Sequence, residues 1–440
     1  MPQAQAVAAI GQELQAGLAE ARARSNELFR IVRQEAIYDR PIPERHRIAF
    51  YLGHLEAFDW NLICRGGFGM EPIHAEFDKL FAFGIDPVGG GLPTDRPGDW
   101  PRLEQILQYN QRVQEGVDGC LRTFAAHGAR DPQHQQLFHV AIEHRLMHAE
   151  TLAYMLHRLP LNRKVAGPSP LVVNGAGFKA RMVEIATGAA TMGLPRSGRA
   201  FGWDNEFEQN TVSVPAFSID THNVTNGQWL DFLLAGGYTE RGLWSDADWE
   251  WRTKQTIVQP AFWKNVGGQW RYRAMFDEVP LPLDWPVYVS HAEASAYARW
   301  VGKALPTEAQ FHRAAYGTPD GRELMYPWGD AAPDSRRGSF DFAGWDPAPV
   351  GAFPAGNSAF GVADLLGNGW EWTSTSFGPF PGFEPFPFYR GYSADFFDAT
   401  HSVMKGGSMR TASRLLRASF RNWFQPHYPY VYAKFRCVEN

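Results

Sequence analysis

The first 160 residues contain four stretches in which apolar residues recur every three or four positions. This pattern limits the possible folds more than any other feature of the chain. The stretches lie at residues 10–21, 48–62, 103–124 and 132–158. Recurrence at this spacing collects the apolar side chains on one face of an α-helix. Helices of this length bury those faces most simply against one another, so the sequence predicts an N-terminal four-helix bundle.

The chain changes character in its second part. Aromatic residues make up 14% of the chain, and most of its 16 tryptophans follow residue 200, together with clusters of Gly and Pro. Short strand-like segments, such as residues 181–193 and 212–220, are separated by turns. Two helices interrupt them, with Thr225 or Asn226 as one candidate N-cap and Ser290 as the other. The expected architecture is α+β, with two different kinds of domain.

Two segments without helical or strand-like periodicity mark the organisation of the chain. Glycines and prolines in residues 84–101 predict a long loop inside the bundle, and loops of that length are often functional. A similar composition predicts a linker at residues 166–178. The bundle is therefore expected at residues 1–165 and the second domain at residues 179–440.

Composition limits the class of partner. A net charge of −5 and an isoelectric point near 6.3 give no reason to expect nucleic acid. No apolar run approaches the roughly 18–20 residues that cross a membrane, and the N-terminus does not read as a secretion signal. The three cysteines, Cys64, Cys120 and Cys437, are far apart in the sequence, which argues against a disulfide framework and a cysteine metal site. We expect a reduced, cytoplasmic protein that acts on small molecules.

Three histidines form a candidate metal site. His144 and His148 are four residues apart in the fourth helical stretch, so they share one helix face. His54 lies among apolar residues of the second stretch, and a bundle brings facing helices close enough for it to complete a three-imidazole site. Imidazole suits iron, zinc, copper and nickel, so the ligands alone do not choose the metal. An H-x-x-x-H pair alone is also compatible with structural or exposed histidines.

Other polar residues of the fourth stretch have different expected roles. Three further histidines are expected to be structural or surface residues: His134, His139 and His157. Glu150 either orients a metal ligand or faces solvent as an ordinary helix residue.

Two groups of motifs resemble a known family. Y-L-G-H at 51–54 and H-R-L-M-H-A-E at 144–150 resemble the iron-binding pattern of the DinB-like bundle in the ergothioneine-biosynthetic sulfoxide synthases. The second part resembles the domain that these enzymes share with the formylglycine-generating, sulfatase-modifying factors. Its matching pieces are V-T-N-G-Q-W (224–229), L-P-T-E-A-Q-F (305–311), Y-P-W-G-D (326–330), G-N-G-W-E-W-T (367–373), K-G-G-S (405–408) and A-K-F-R (433–436). Together the two resemblances cover nearly the whole chain in the family's order.

The resemblance implies a DinB-like four-helix bundle followed by a C-type-lectin-like domain. It also implies a non-haem iron oxidoreductase, in which Fe(2+) is held by His54, His144 and His148. In that family, dioxygen drives attachment of sulfur from a thiol donor to the imidazole ring of hercynine, giving a sulfoxide. Formylglycine-generating activity itself is disfavoured, because it needs a cysteine pair in the second domain and only Cys437 lies there.

The resemblance also implies roles for residues of the second domain. S-F-R-N-W at 419–423 matches the family's substrate-contact region, so Asn422 is expected to bind the hercynine carboxylate. Trp423 is expected to face the trimethylammonium group, where a cation over an indole gains roughly 0.5–2 kcal/mol. Tyr389 and Tyr392 lie in the region of the family's active-site tyrosine, a proton donor near the iron, and the sequence leaves the choice between them open.

The sequence departs from the thiol-using enzymes where those bind a peptide donor. Phe424 stands at an acidic position, Tyr428 lies near an arginine position, and Met147 replaces a glutamine. The loop that elsewhere contributes an arginine reads V-G-G-G-L-P at 88–93. A zwitterionic donor such as gamma-glutamylcysteine would lose most of its charged partners, at a cost of several kcal/mol.

These departures favour a different donor. The aromatic rings of this segment, with Gln425 and His427, suit a sugar whose apolar face stacks on them. The chain looks most like the selenoneine synthase branch, which joins selenium from a selenosugar to hercynine. The alternatives are C–S bond formation with a thiol donor, a DinB-like zinc or nickel thiol transferase that needs no oxygen, and a non-catalytic carbohydrate-binding module.

Overall fold

The computed structural model of the chain describes residues 2–82, 92–126, 131–172, 180–198 and 200–440, with side chains from residue 9 onward. The chain divides into two compact units, Met1–Pro168 and Ser169–Asn440. Parts of two predicted segments, residues 84–91 of the long loop and 173–178 of the linker, lie outside the described residues. In the described ranges, no helix is both long and apolar enough to cross a membrane.

The predicted four-helix bundle is confirmed in the first unit. Its long helices are α1 (Pro2–Arg30), α2 (Ile48–Asp59), α4 (Leu103–Ala126) and α5 (Pro132–Arg158), and a short α3 (Ala75–Leu80) lies between α2 and α4. Ten of the twelve residues of α2 are buried, as expected for a helix packed on several sides. Any polar side chain on α2 therefore points into the bundle, and His54 is one of them.

Contacts between the helices give their directions. On α2 and α4, Leu52 accepts a hydrogen bond from Asn110 and Glu56 accepts one from Gln114, so the partners advance together and the two helices run parallel. On α2 and α5, Phe58 stacks on His144. His54, one turn before Phe58 on α2, lies beside His148, one turn after His144 on α5. The two helices are therefore antiparallel. A parallel α2–α4 pair requires the chain to return along the bundle between them.

The second apolar stretch is not a single α-helix as predicted. After Asp59 the hydrogen bonding widens, and residues Trp60–Gly67 form a π-helix that continues α2. The apolar spacing does not reveal this change, because Leu62 and Ile63 are apolar in either geometry. A π-helix has more residues per turn, so it shifts which side chains face a neighbouring helix.

The second unit combines short strands with four helices in its described part. The strands are β1 (Met182–Ile185), β2 (Gly188–Met192), β3 (Asn210–Val214), β4 (Phe217–Asp220), β5 (Trp263–Val266), β6 (Gln269–Arg273), β7 (Glu278–Pro280), β8 (Gly369–Ser376), β9 (Ser402–Gly407), β10 (Asn422–Phe424), β11 (Ala433–Lys434) and β12 (Val438–Glu439). The helices are α6 (Asn226–Leu234), α7 (Asp246–Lys254), α8 (His291–Trp300) and α9 (Glu308–Tyr316). This mixture agrees with the predicted α+β class.

The strands form small sheets. One has the order β1-β4-β12, one β10-β9-β8-β11, one β5-β6-β7, and β2 pairs with β3. Neighbouring strands are antiparallel except β11 and β8, which are parallel. Val438 near the end of the chain pairs with Ile219 of β4, so the last strand closes against the beginning of the unit.

The predicted helix starts are observed. Thr225, one of the two candidates, caps α6, and its side chain accepts from the backbone N–H of Gln228. Ser290 caps α8 in the same way through Glu293. In both cases the third helical residue bonds back to the backbone of the cap, which satisfies two otherwise unpaired N–H groups. Helix α7, which the sequence reading missed, begins at a similar cap, Ser245.

Buried ion pairs connect separate motifs of the second unit. Glu371 of G-N-G-W-E-W accepts two hydrogen bonds from Arg436 of A-K-F-R, at 2.6 and 2.7 Å. Glu308 of L-P-T-E-A-Q-F accepts two from Arg421 of S-F-R-N-W, at 2.9 and 3.0 Å. Bidentate pairs of this kind fix both distance and orientation. These charged motif residues therefore build the fold, and Arg421 anchors the strand that begins with Asn422.

Candidate metal centre

The three predicted histidines converge in the bundle interior. His54 on α2 and His144 and His148 on α5 are all buried, and one ring nitrogen from each lies within 4.8 Å of the others. The Nε2 atoms of His144 and His148 are 3.1 Å apart. The four-residue spacing places these two rings on one face of α5, and antiparallel packing brings His54 against them.

A backbone carbonyl fixes the orientation of His54. Its Nδ1 lies 2.6 Å from the carbonyl oxygen of Phe81, the residue after α3. Because a carbonyl can only accept, Nδ1 carries the proton and the lone pair is on Nε2. The Phe81 ring can approach because residue 53 is glycine: a Cβ there would lie 2.6 Å from the ring. Such an outer hydrogen bond is the usual way in which a metal-binding histidine is held in one tautomer.

Aromatic rings cover the other histidine faces. Phe58 stacks on His144 with ring centroids 3.4 Å apart and an angle of 10°, and Phe50 stacks on His54 at 4.9 Å and 19°. Tyr51 lies 6.0 Å from His148. These contacts restrict ring rotation and keep water away from the imidazoles.

Burial keeps the three imidazoles neutral. It lowers the pKa of His54 to about 4 and holds the pKa values of His144 and His148 well below the ordinary value for histidine. The neighbouring histidines add to this for His144 and His148, because an imidazolium would repel a second charge. Neutral imidazole is the form that binds a metal, so the site needs no deprotonation before binding.

The donor set fits a divalent transition-metal ion. Among the described residues, the buried Nδ1 atoms of His144 and His148 have no hydrogen-bond partner, and their Nε2 atoms face each other. An ion between the rings would be bound by the Nε2 atoms of all three histidines. Three neutral imidazoles on one side of an ion leave its remaining positions open to small ligands.

A buried ion-pair cluster adjoins the site and ties α2 to α5. Arg145, next to His144, donates to Glu56 at 3.0 Å and to Asp59 at 2.7 Å, and also to the Leu55 carbonyl. All three charged side chains are almost fully buried. Because Arg145 and His144 are neighbours on α5, the cluster sets the position of α5 along α2 and thereby the separation of the histidines.

The other polar residues of α5 have structural surroundings. His134 lies 2.9 Å from the Gly67 carbonyl and 2.8 Å from Asp131, which ties the start of α5 to the end of the π-helix. His157 is fully buried. Glu150 is also buried, so it does not face solvent, and Met147 is half-buried.

In the second unit, the structure brings Trp423 and one candidate tyrosine together. Trp423 in β10 stacks on Phe377, with centroids 4.1 Å apart and an angle of 6°, and the Tyr392 ring lies 5.4 Å from the indole at an angle of 78°. Tyr389 packs against Tyr392, also at 5.4 Å. Asn422 accepts a hydrogen bond from the Trp423 backbone N–H through Oδ1. Within the described part of the chain, its side-chain NH₂ group has no hydrogen-bond partner, so it keeps two donors.

The segment after Trp423 is an aromatic surface. Phe424 and Tyr428 stack with centroids 5.3 Å apart at 16°, and Gln425 is exposed. His427 lies 2.8 Å from Asp248 of α7, and Trp251 stacks on its ring at 4.7 Å and 2°. Helix α7 therefore holds this segment in place, a contact that sequence reasoning missed together with the helix.

Sequence reasoning also missed the residues that support the histidines. Phe81 acts through its backbone, so its residue type carries no signal, and it is 27 positions from His54. Gly53 and Phe58 lie close to His54 in the sequence. Glycine next to a histidine in a buried helix was a hint that another side chain packs there.

Comparison with known proteins agrees with both units. Residues 174–440 match the sulfatase-modifying factor enzyme 1-like domain, and residues 18–152 match the DinB superfamily. The hercynine oxygenase of Mycolicibacterium thermoresistibile is 37% identical, over 88% of this chain and 86% of that protein. The hercynine oxygenase of Mycobacterium tuberculosis is 37% identical, over 69% of this chain and 71% of that protein.

A longer fungal relative matches as well. Ergothioneine biosynthesis protein 1 of Neurospora crassa is 30% identical, over 92% of this chain and 55% of that protein. The order of the two domains and the similarity over most of the length of a hercynine oxygenase identify the family. The chain belongs to the hercynine oxygenase family of ergothioneine-type sulfoxide synthases, and it is an oxidoreductase.

Proposed function

We propose that this enzyme uses iron(II) and dioxygen to join selenium from a selenosugar to the imidazole ring of hercynine. The observation that carries the proposal is the convergence of three buried, neutral histidines whose nitrogen atoms lie within 4.8 Å of one another. The name of two relatives, hercynine oxygenase, supports oxidation of hercynine, and the residues around Phe424 support the choice of donor.

His54, His144 and His148 would hold the iron through Nε2. When bound, iron supplies the redox chemistry that couples dioxygen to formation of the new bond. The protein's own contribution is to fix the three rings, through the Phe81 carbonyl and the stacked rings of Phe50 and Phe58, and to keep bulk water out. Ligands that are held in place and shielded from water favour the intended reaction over competing oxidation.

Trp423 and Asn422 would bind hercynine. Phe377 covers one face of the Trp423 indole, so the trimethylammonium group would approach the other. The NH₂ group of Asn422 would donate to the carboxylate. Tyr392, whose ring lies 5.4 Å from the Trp423 indole and nearly perpendicular to it, is our choice over Tyr389 for the proton donor.

The donor surface would be the aromatic segment from Phe424 to Tyr428. Stacked rings favour the apolar face of a sugar, and the nearby carboxylate of Asp248 is already paired with His427. A zwitterionic peptide thiol would therefore be desolvated without compensating charges, at a cost of several kcal/mol. The second candidate is C–S bond formation with a thiol donor, which the names of the relatives favour.

An aerobic assay with iron(II) and hercynine separates these functions. Cysteine, gamma-glutamylcysteine, a thiosugar and a selenosugar are compared as donors, and products are identified by mass spectrometry. We expect the selenosugar to have the highest kcat/KM and turnover to require both iron and oxygen. A preference for gamma-glutamylcysteine would overturn the selenium proposal, and turnover with zinc under anaerobic conditions would overturn the oxygenase.

Substitutions test the assigned residues. Phe424→Asp is expected to lower kcat/KM for the selenosugar at least tenfold and leave the KM for hercynine unchanged, with Phe424→Tyr as the matched control that keeps the ring. Tyr392→Phe is expected to lower kcat more than Tyr389→Phe. The opposite order would move the proton donor to Tyr389.

A further inference from the structure

Two cysteines that are distant in the sequence are in contact in the bundle. The Sγ atoms of Cys64 on the π-helix and Cys120 on α4 are 3.6 Å apart, and 56 residues separate them along the chain. Both are free thiols, and both are buried. The sequence predicted no disulfide because the cysteines are far apart along the chain, but that separation gives no information on this contact.

A glycine allows the two helices to approach. Gly116 lies one turn before Cys120, and a Cβ at that position would be 2.5 Å from the ring of Trp60, which lies one turn before Cys64. The indole occupies the space that a larger residue would fill. One turn further along each helix, the side chains of Cys64 and Cys120 therefore lie in contact.

Cys64, the partner of Cys120, lies on the π-helix, and the offset between facing residues is different there. Where α2 is α-helical, residues that face α4 are offset by 58 positions, as in Leu52–Asn110 and Glu56–Gln114. At Cys64–Cys120 the offset is 56. Continuing the α-helical offset would place Leu62 opposite Cys120. The offset is already 56 at Trp60–Gly116, where the π-helix begins, and it is still 56 one turn later at the cysteines. Elements of π-helix are frequent at functional sites.

A third sulfur connects the pair to the surface. Gly69 adopts a φ of +65°, which ends the π-helix and lets the Met70 N–H donate to the Cys64 carbonyl at 2.9 Å. The Met70 Sδ then lies 3.6 Å from the Cys120 Sγ, and Met70 is 42% exposed. A small oxidant can thus approach Cys120 along Met70.

We propose that Cys64 and Cys120 are a site of reversible oxidation to a disulfide by a hydroperoxide. The two S–H bonds break and one S–S bond forms, and the two protons and two electrons reduce the peroxide to water or an alcohol and water. The sulfur atoms must approach by about 1.5 Å to reach a disulfide bond length. The link would tie the continuation of the His54 helix to α4.

The electrostatics of the pair favour Cys120 as the attacking thiolate. The hydrogen bond between the two thiols lowers the pKa of Cys120 and raises that of Cys64. Cys120 is also the residue in contact with exposed Met70. A thiolate at Cys120 would react first with the peroxide, and the Cys64 thiol would then close the disulfide.

Thiol counting in the full-length protein tests the proposal. The folded protein is treated with hydrogen peroxide, unfolded in N-ethylmaleimide and measured by intact mass spectrometry. The reduced protein is expected to take up three maleimides, one for each cysteine, and the oxidised protein only one. Trypsin should release residues 48–65 linked to residues 113–122, and dithiothreitol should separate them.

Variants and a stability measurement complete the test. Cys437→Ser should retain the cross-link, whereas Cys64→Ser and Cys120→Ser should each lose it. The linked wild-type protein should also have a higher Tm, because the bond closes a long loop of the unfolded chain. Three maleimides on the peroxide-treated wild-type protein, or a link that involves Cys437, would overturn the proposal whether or not the variants fold.

Discussion

His54 donates its Nδ1 proton to the carbonyl oxygen of Phe81 across 2.6 Å, so a main-chain atom outside the long helices orients a buried metal-ligand candidate. Phe81 itself is fully buried and follows α3, which lies in the connection between α2 and α4. The geometry of the histidine site therefore depends on how this connection packs, as well as on α2 and α5.

Gly53→Ala is expected to weaken metal binding. The new Cβ would lie 2.6 Å from the Phe81 ring, so Phe81 must move and its carbonyl would lose alignment with His54. Loss of an outer hydrogen bond to a metal-bound histidine typically costs about 10–100-fold in affinity. Equilibrium dialysis with iron(II) or cobalt(II) measures the change.

Gly119→Ala is the matched control for this variant. Gly119 is also helical, on α4, and a Cβ there would meet only an arginine side chain at 3.8 Å. This variant should bind metal as the wild type does. Equal affinities for all three proteins would show that Phe81 does not position His54.

Replacing any one of His54, His144 and His148 by alanine is expected to abolish iron binding and turnover while leaving the helical circular dichroism unchanged. Each ring supplies one of three converging nitrogens, and two imidazoles hold a labile divalent ion much more weakly. His139→Gln, on the same helix, is the control and should retain metal. A variant that keeps bound iron and activity would remove that histidine from the site.

Arg145→Met is expected to destabilise the bundle by about 3–5 kcal/mol, because it leaves Glu56 and Asp59 buried without their cation. Urea unfolding followed by helical circular dichroism measures the loss. Exposed Arg112→Met is the control and should change stability by no more than about 0.5 kcal/mol. A small effect at Arg145 would mean that the two carboxylates are protonated or hydrated in the variant.

The second unit is expected to lose stability in acid through His312. Burial lowers the pKa of His312 to about 3, against about 6.5 in an unfolded chain, and nearby Lys405 adds to the effect. Between these values the unfolded chain binds the proton and the folded protein does not. Stability therefore falls as the pH drops below 6.5, by about 2 kcal/mol at pH 5 from this residue alone.

His312→Phe removes the titrating imidazole, so the stability of the second unit should fall less between pH 7.5 and pH 5. Unfolding is compared at pH 7.5 and pH 5 by tryptophan fluorescence, which reports mainly on this unit because Trp60 and Trp100 are the two tryptophans outside it. An unchanged difference between the two pH values would show that His312 is protonated in the folded protein.

Local patterns predicted the parts of the structure that depend on neighbouring residues. The pairing of His144 with His148 follows from helical periodicity, and the Thr225 and Ser290 caps follow from the bonding preferences of their own turns. The approach of His54 to that pair required a bundle, which the four apolar stretches supplied.

Contacts set by distant packing were not predictable in the same way. The carbonyl of Phe81, the pairing of Cys64 with Cys120 and the stacking of Trp251 on His427 each join residues far apart in sequence. The π-helix leaves the apolar pattern unchanged, and α7 is polar and half-exposed, so neither gave a periodic signal.

The parallel course of α2 and α4 has a consequence for engineering this scaffold. Helix α4 is about 36 Å long, so the returning chain needs at least about ten extended residues, whereas 35 positions separate Gly67 from Leu103. The connection is therefore much longer than the return requires, so its length does not set how α2 and α4 align. Contacts do this instead: Asp95 pairs with Arg47, and Trp100 packs against Phe50 and Phe81 beside His54. A redesign of this connection should therefore keep Asp95 and Trp100 if the histidine spacing is to stay intact.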